Sequence, residues 1–351
     1  METQKTAETS KRKHFIDNLR TLTILLLFPY HISMIYNNWG ETFYIHGKDL
    51  TIPSLFVGIN SMWMMPLLFA LAGISTYYAL EKRSNGEYIR ERFNKLFLPF
   101  VFGVLLIVPI QPYLASLFLR GQAGYFDSFT WLTDLSGYDG AFSIGHLWFI
   151  LFLFVFSLVS LPLLIWYKNK GKSTLGDKLP LPAVVLLGLL PCIGSVIKIG
   201  GESTKSPTEN LAYFLLGYFL LTNEKLLEKL DKYRFQLLGC FVGYAVFSLY
   251  VIDGEFFEMI SWLAILAALG LSRHYLDFSG KNAKYFAKSS FGVYFFHQSW
   301  IVIVAFFIFK VTDNPLWQIP TIFLVAVGAT YLSYEICRRI AILRWMFGLK
   351  E

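Results

Sequence analysis

Long apolar segments recur along this chain, and they constrain its fold more than any other feature of the sequence. Residues 54–80 and 96–119 are typical, because each is long and neither contains a charged side chain. A run of about 20 apolar residues crosses the hydrocarbon core of a bilayer as a helix. Hydrophobic residues make up 55% of the chain and charged residues only 16%, against about a quarter in soluble domains. The sequence therefore predicts an all-α, polytopic membrane helix bundle.

Ten apolar segments are predicted to be transmembrane helices. They are residues 19–38, 54–80, 96–119, 145–167, 181–199, 210–222, 236–252, 256–271, 290–310 and 318–337. The sixth and the eighth are short, so a tilted or re-entrant path stays open for them. The ten segments form one membrane domain, 19–337, between a tail at 1–18 and a tail at 338–351.

The distribution of Lys and Arg predicts the orientation of these helices. With the N-terminus in the cytoplasm, one side of the membrane carries 26 of the 31 basic residues. Cytoplasmic loops are enriched in Lys and Arg, so both termini are predicted to be cytoplasmic. The first helix is expected to be retained, since no cleavage site of small residues follows it. The same dispersed charges explain the net charge of +7 without a nucleic-acid partner.

The cysteines give no sign of a disulfide framework or of a metal site. There are three, Cys192, Cys240 and Cys337, and each lies in or at the end of a predicted helix. Their number is odd and their spacing is not that of metal ligands. We therefore expect no bound metal and no bound cofactor.

The first predicted helix carries an unusual set of polar residues in the stretch DNLRTLTILLLFPYH. Asp17 and Arg20 lie at its cytoplasmic end and His31 lies deep within it. Eleven residues advance a helix by about three turns, roughly 16 Å, so Arg20 and His31 share one face. Ionisable residues at membrane depth are costly and mark functional sites. His31 is the candidate general base, because its pKa range suits proton transfer near neutral pH; an interfacial ion pair is the alternative for Asp17 and Arg20.

Three further ionisable residues occur in or near predicted helices. They are His146, beside Trp148 at an outer helix end, His297 in the ninth helix, and Glu335 near the inner end of the tenth. All are candidate substrate-binding residues. An aromatic belt, a hydrogen-bonded core histidine and a local salt bridge are the respective alternatives.

A basic loop follows the second predicted helix, in the sequence EKRSNGEYIRERFNKLF. Arg90, Arg92 and Lys95 are its candidate binding residues, together with Arg83 at its start. Arg92 and Lys95 are one helical turn apart and suit a phosphate-bearing ligand from the cytosol. The alternative is that these charges only set the topology.

These segments resemble the acyltransferase-3 superfamily of integral membrane acyltransferases, and within it the glucan-modifying, succinyltransferase-like branch. The resemblance covers nearly the whole chain, in the motifs FIDNLRTLTILLLFPYH, MWMMPLLFALAGISTYY, YIRERFNKLFLPFVFG, GHLWFILFLFVFS, SSFGVYFFHQ and YEICRRIAILRWMFGLK. It implies that His31 is the catalytic base with Arg20 as its partner. It also implies that Arg92 and Lys95 match an Arg-x-x-Arg donor site, with Lys in place of the second Arg.

The resemblance further implies an acyl-CoA donor, acetyl-CoA first, on the cytosolic side and a hydroxyl-bearing glycan or small molecule as acceptor. We therefore predict a membrane-embedded O-acyltransferase of the plasma membrane, multi-pass and of a bacterial inner membrane. Acetyl and succinyl transfer both remain open, as do direct transfer and a covalent intermediate. The main alternative is a proton-coupled transporter or flippase, since buried His and Glu residues also serve that class. A scaffold without chemistry is a third interpretation.

Overall fold

A computed structural model describes residues 13–39, 43–121, 144–170, 175–196, 206–251 and 257–350, and every regular element in these ranges is helical. The first half contains α1 His14–Leu25, α2 Leu27–Met34, α3 Thr51–Ser61, α4 Met64–Lys82, α5 Asn85–Arg92, a π turn at Phe93–Phe97, α6 Leu98–Leu106, α7 Ile110–Arg120, a 3-10 turn at Gly145–Leu147, α8 Trp148–Val159 and α9 Leu161–Asn169. The second half contains α10 Leu175–Lys178, α11 Leu181–Leu186, α12 Leu189–Gly194, α13 Pro207–Phe219, α14 Glu224–Lys232, α15 Arg234–Val251, α16 Phe257–Tyr275, α17 Lys281–Ile308, α18 Pro315–Arg339 and α19 Ala341–Met346. Most of the predicted N-terminal tail and residues 122–143 lie outside these ranges.

Helices lie at all ten predicted positions, but fewer are long and apolar enough to cross a membrane. In the ranges given above there are four, Thr51–Lys82, Asn85–Arg120, Lys281–Ile308 and Pro315–Arg339. The pair Gly145–Val159 and Leu161–Asn169, bent by 50°, makes a fifth if it forms one span. The all-helical membrane architecture is confirmed, whereas ten crossings and two cytoplasmic termini stay predictions.

Prolines divide the predicted spans into shorter helices. Five breaks, at Leu26, Met62–Trp63, Ile107–Pro109, Ser160 and Leu187–Gly188, precede Pro29, Pro66, Pro112, Pro162 and Pro191 by two to five residues. A proline has no N–H for the carbonyl four residues earlier, and its ring crowds that carbonyl. The break in each span therefore falls just before its proline.

Two glycines allow α4 and α13 to pack backbone against backbone. A Cβ atom on Gly73 would lie 2.0 Å from the Phe214 carbonyl oxygen, and one on Gly217 would lie 2.1 Å from that of Ala70. Small residues let membrane helices approach this closely. The crossing therefore depends on the absence of a side chain on both helices.

Helix α17 occupies the centre of the bundle. It packs against α1, α2, α7 and α18, and 72% of its most apolar window is buried inside the protein. The corresponding figure for α18 is 22%, with Leu324 and Leu332 among its exposed side chains. The polar residues in the middle of α17, His297, Gln298 and Ser299, are thus enclosed by protein, while α18 has an exposed apolar face.

Candidate active site

The first two helices position the residues of the DNLRTLTILLLFPYH stretch at two different depths. In α1, Arg20 pairs with Asp17 at 3.3 Å between Nη1 and Oδ1, and its other terminal nitrogen donates a hydrogen bond to the Ser75 hydroxyl of α4. His31 lies eleven residues further along, in α2, beyond the break at Leu26. The Asp17–Arg20 pair lies within α1, and the hydrogen bond from Arg20 to Ser75 links α1 to α4.

His31 is half-buried and surrounded by aromatic rings. Phe43 stacks on it at 5.6 Å between ring centroids and 22° between ring planes, and Tyr30 meets it edge-on at 5.1 Å. The ring of His297, from α17, lies 5.2 Å away. The N-terminal candidate base is therefore in contact with a histidine that is 266 positions later in the chain.

His146 lies in the 3-10 turn that leads into α8. Gly145 precedes it with φ of 53°, and a Cβ there would lie 3.3 Å from Val108, so the turn requires a glycine. The imidazole Nε2 donates a hydrogen bond to the Phe295 carbonyl at 3.0 Å, while the Tyr294 hydroxyl donates to the carbonyl of His146. Helix α17 therefore holds this turn from two adjacent residues.

His297 joins the other two histidines into one cluster. It is fully buried, its ring centroid is 5.2 Å from that of His146 as well as from that of His31, and its Nδ1 donates to the Tyr294 carbonyl at 2.7 Å. We call His31, His146 and His297 the histidine cluster. They come from α2, from the turn before α8 and from α17, so the fold brings together three candidate residues that the sequence places far apart.

A neutral polar network adjoins the histidine cluster and was missed in the sequence. Gln111 in α7 donates to the Ser299 hydroxyl at 2.7 Å, and Gln298 donates to the Gln111 side-chain oxygen at 3.0 Å. Both glutamines are buried. The sequence does contain a sign of this network, because His297, Gln298 and Ser299 are three consecutive polar residues in an apolar helix. The glutamine and the serine are not ionisable, so a criterion based on ionisable groups does not select them.

A cavity of about 400 Å³ opens beside this network. Its lining is mostly apolar and comes from α6, α7, α17, α18 and the C-terminal Phe347, with Ser299 as one polar wall. Because Ser299 also bonds the Ile107 carbonyl and Gln111, the cavity and the polar network share a side chain.

The basic loop is organised around a carboxylate. Glu91 pairs with Arg83 at 2.8 Å, with Arg92 at 3.6 Å and with Lys95 at the next turn. Arg92 also lies over the ring of Tyr88, 4.8 Å from its centroid. Three of the predicted cations therefore do converge, but a phosphate would share them with Glu91.

Lys95 lies in the π turn, where the helix widens. The carbonyl of Lys95 is four residues before Pro99, and the N–H of Leu98 bonds instead to Phe93, five residues back. Gly348, at φ of 60°, packs against this turn: a Cβ on it would lie 2.8 Å from Pro99. Wide turns of this kind are frequent at functional sites.

The remaining candidates lie outside the histidine cluster. Arg90 belongs to the basic loop and is exposed in α5. Trp148 packs on Phe69 and Phe152 with ring centroids 5.9 and 5.2 Å away. Glu335 bonds Arg338 and Arg339 at 2.7 and 3.0 Å and accepts from the Tyr285 hydroxyl. Tyr285 is twelve residues before His297 on α17, about 18 Å along the axis, so Glu335 is not part of the histidine cluster.

Among the residues that the structure describes, no three His, Cys, Asp or Glu side chains form a group that fits a metal ion. The fold and the site thus define a membrane-embedded helical protein whose polar centre is a cluster of histidines, with a cationic loop near one end of the bundle.

Comparison with known proteins identifies the family. Residues 13–335 match the acyltransferase domain of the acyltransferase-3 family, so the chain belongs to that family of membrane acyltransferases. It is 22% identical to proteins named Glucans biosynthesis protein C from Salmonella schwarzengrund (strain CVM19633) and Salmonella typhi, over 97% of this chain and 95% of each relative. The same figures apply to the protein of that name from Salmonella typhimurium. No solved structure matches the chain.

Proposed function

We propose that this acyltransferase moves an acetyl or similar small acyl group, succinyl included, from cytosolic acyl-CoA to a hydroxyl of a glycan or other cell-envelope acceptor. We place it in the plasma membrane of a bacterium as a multi-pass protein. The observation that carries the proposal is the convergence of His31, His146 and His297 in a family whose members transfer acyl groups. The glucan-related names of its relatives favour a sugar acceptor.

His31 is the proposed general base. It accepts the hydroxyl proton as the alcohol oxygen attacks the thioester carbonyl, and it returns that proton to the sulfur as the thiolate of CoA leaves. An alcohol is a poor nucleophile until a positioned base begins to take its proton, and such a base contributes about 10²- to 10⁴-fold in rate. His31 is only half-buried, which leaves its ring accessible to an acceptor.

Arg20 and Asp17 are proposed to hold the approach to this base. Asp17 pairs with Arg20 within α1, and the bond from Arg20 to Ser75 links α1 to α4 about 16 Å before His31. Arg92 and Lys95 are proposed to bind the phosphates of the donor. Both already face Glu91, so the loop presents a net positive, pre-organised surface rather than isolated cations.

The test compares cells that produce the wild-type protein with cells that produce His31→Gln. Envelope glycans and small metabolites are searched by mass spectrometry for a gained acyl mass, and acyl-CoA binding is measured on the purified proteins. We expect His31→Gln to bind the donor but to lose at least about 100-fold in product, because glutamine keeps the size and the hydrogen bonding but accepts no proton.

His274→Gln is the matched control, because His274 is a half-exposed histidine paired with Asp231 at the far end of α16. Near-normal product from well-expressed His31→Gln would overturn the assignment of the base. Transport of a solute without any acyl product would favour a carrier instead.

A further inference from the structure

Three buried hydrogen-bond acceptors belong to two residues of the histidine cluster and to the residue that follows His297, and no described residue donates to them. They are Nδ1 of His146, Nε2 of His297 and the side-chain oxygen of Gln298. The three residues are 6%, 0% and 4% exposed. Buried polar atoms are nearly always satisfied in native proteins, so an unsatisfied set in one place points to a ligand.

Backbone carbonyls determine that Nδ1 of His146 and Nε2 of His297 are hydrogen-bond acceptors. His146 uses Nε2–H to bond the Phe295 carbonyl, and His297 uses Nδ1–H to bond the Tyr294 carbonyl. A carbonyl oxygen cannot donate, so Nε2 of His146 and Nδ1 of His297 must each carry the ring hydrogen. In a neutral imidazole the other nitrogen is then an acceptor.

A chain of hydrogen bonds determines the polarity of Gln298 in the same way. The Ser299 hydroxyl donates to the Ile107 carbonyl at 3.2 Å, so it accepts from the Gln111 amide at 2.7 Å. Gln111 must then offer its oxygen to the Gln298 amide, at 3.0 Å. This series of hydrogen bonds therefore leaves the Gln298 side-chain oxygen as an acceptor. Its orientation is determined by the bond from Ser299 to the Ile107 carbonyl, the third hydrogen bond in the series.

The two parts of this acceptor set are adjacent. The Gln111 oxygen lies 3.6 Å from the position of a Cβ on Gly145, the residue before His146. Gln298 follows His297, whose ring lies 5.2 Å from that of His146. The ring of the base proposed above, His31, lies at the same centroid distance from the His297 ring.

We propose that His146, His297 and Gln298 form the acceptor subsite of the acyltransferase and select a polyhydroxylated ligand, such as a sugar, by accepting hydrogen bonds from its hydroxyls. This rests on the proposed function, and it names Gln298, held by Gln111 and Ser299, as a specificity-determining residue. A sugar presents several O–H donors around the hydroxyl that reacts at His31. An ether or ester oxygen presents none.

Binding without the donor tests the subsite separately from catalysis. The purified full-length protein in detergent is titrated with methyl β-glucoside and with its fully O-methylated derivative, which keeps the ring but donates no hydrogen bond. Stabilisation against thermal unfolding reports binding. We expect the glucoside to stabilise the wild-type protein and the methylated derivative to have no effect.

Gln298→Leu should raise the Kd for the glucoside about tenfold, as loss of one well-placed hydrogen bond does at the upper end of its range. The matched control is Gln318→Leu. Gln318 is equally buried but both ends of its amide are used, by Tyr36 and by the Thr312 carbonyl, so its loss should leave the Kd within about twofold. Ser299→Ala is a milder change. It should reduce the difference in stabilisation between the glucoside and its methylated derivative, because the side-chain amide of Gln111 can then rotate and exchange its oxygen and nitrogen.

Equal stabilisation by the two ligands, or by neither, would overturn the subsite even if acyl transfer occurs. So would equal effects of Gln298→Leu and Gln318→Leu on the glucoside. Selective glucoside binding without acyl transfer to any hydroxyl after addition of acetyl-CoA or of succinyl-CoA would uphold the subsite and refute the proposed function. The comparison of the glucoside with its methylated derivative on the wild-type protein tests the subsite even if a variant fails to fold.

Discussion

A methyl group at the crossing of α4 and α13 should disrupt the bundle. In Gly73→Ala the new Cβ would lie 2.0 Å from the Phe214 carbonyl oxygen, and ordinary contact begins near 3.4 Å. The obstructing atom is backbone, so no side chain can rotate away, and the helices must separate by more than about 1 Å along their closest approach. Overpacking costs about 1–3 kcal/mol, with rigid contacts at the upper end. Alanine regains up to about 1 kcal/mol in helix propensity, which leaves a net loss of about 2 kcal/mol.

The chain provides its own control for this substitution. Gly243 and Gly328 are also helical, in α15 and α18, but a Cβ on either would meet no atom within 4 Å. Gly243→Ala and Gly328→Ala should therefore keep or slightly raise the stability. The assay is the fraction of purified protein that stays monodisperse in detergent after a heating series.

The double substitution Gly73→Ala with Gly217→Ala sharpens the test. The Cβ on Gly217 would meet the Ala70 carbonyl at 2.1 Å, in the same crossing. One separation of the helices relieves both contacts, so the double loss should be clearly smaller than the sum of the single losses. A Gly73→Ala protein as heat-resistant as Gly243→Ala would refute the close crossing, and strict additivity would refute its shared origin.

Two further predictions concern the ends of the bundle. Arg92→Ala and Lys95→Ala should each weaken acyl-CoA binding, measured by calorimetry on the purified protein. Glu91→Gln should strengthen it, because the substitution removes the carboxylate that competes with the donor phosphates. Unchanged affinity in all three variants would leave the loop with a topological role alone. Topology reporters fused after Lys95 and at Glu351 should be cytoplasmic and one within 122–140 external, given the one-sided basic residues; an external reporter at Glu351 would mean that the number of crossings is odd.

The sequence was informative wherever a property belongs to a single helix. The lengths of the apolar segments predict the helix positions, and the position of His31 deep in an apolar segment distinguishes it from the exposed His274. Proline positions explain the breaks, since Pro29 and Pro191 each remove a donor from the carbonyl four residues before. These are local effects, and one helix carries all the information that they need.

The sequence was silent on which helices are neighbours. Nothing in the spacing of His31, His146 and His297 shows that their rings meet, because each pattern describes only its own helix face. The basic loop shows the same limit. Glu91 lies between Arg90 and Arg92 in the sequence, but only the fold shows that Arg83, eight residues earlier, pairs with the same carboxylate as Lys95.

The order of the histidines along the chain has a consequence for biosynthesis. His31 leaves the ribosome early, His146 in the middle and His297 late, and α17, which carries the last, is also the helix that the others enclose. Until α17 is inserted, the nascent bundle lacks both its central helix and the Phe295 carbonyl that orients the His146 ring. A truncated translation product therefore contains the candidate base but no assembled site.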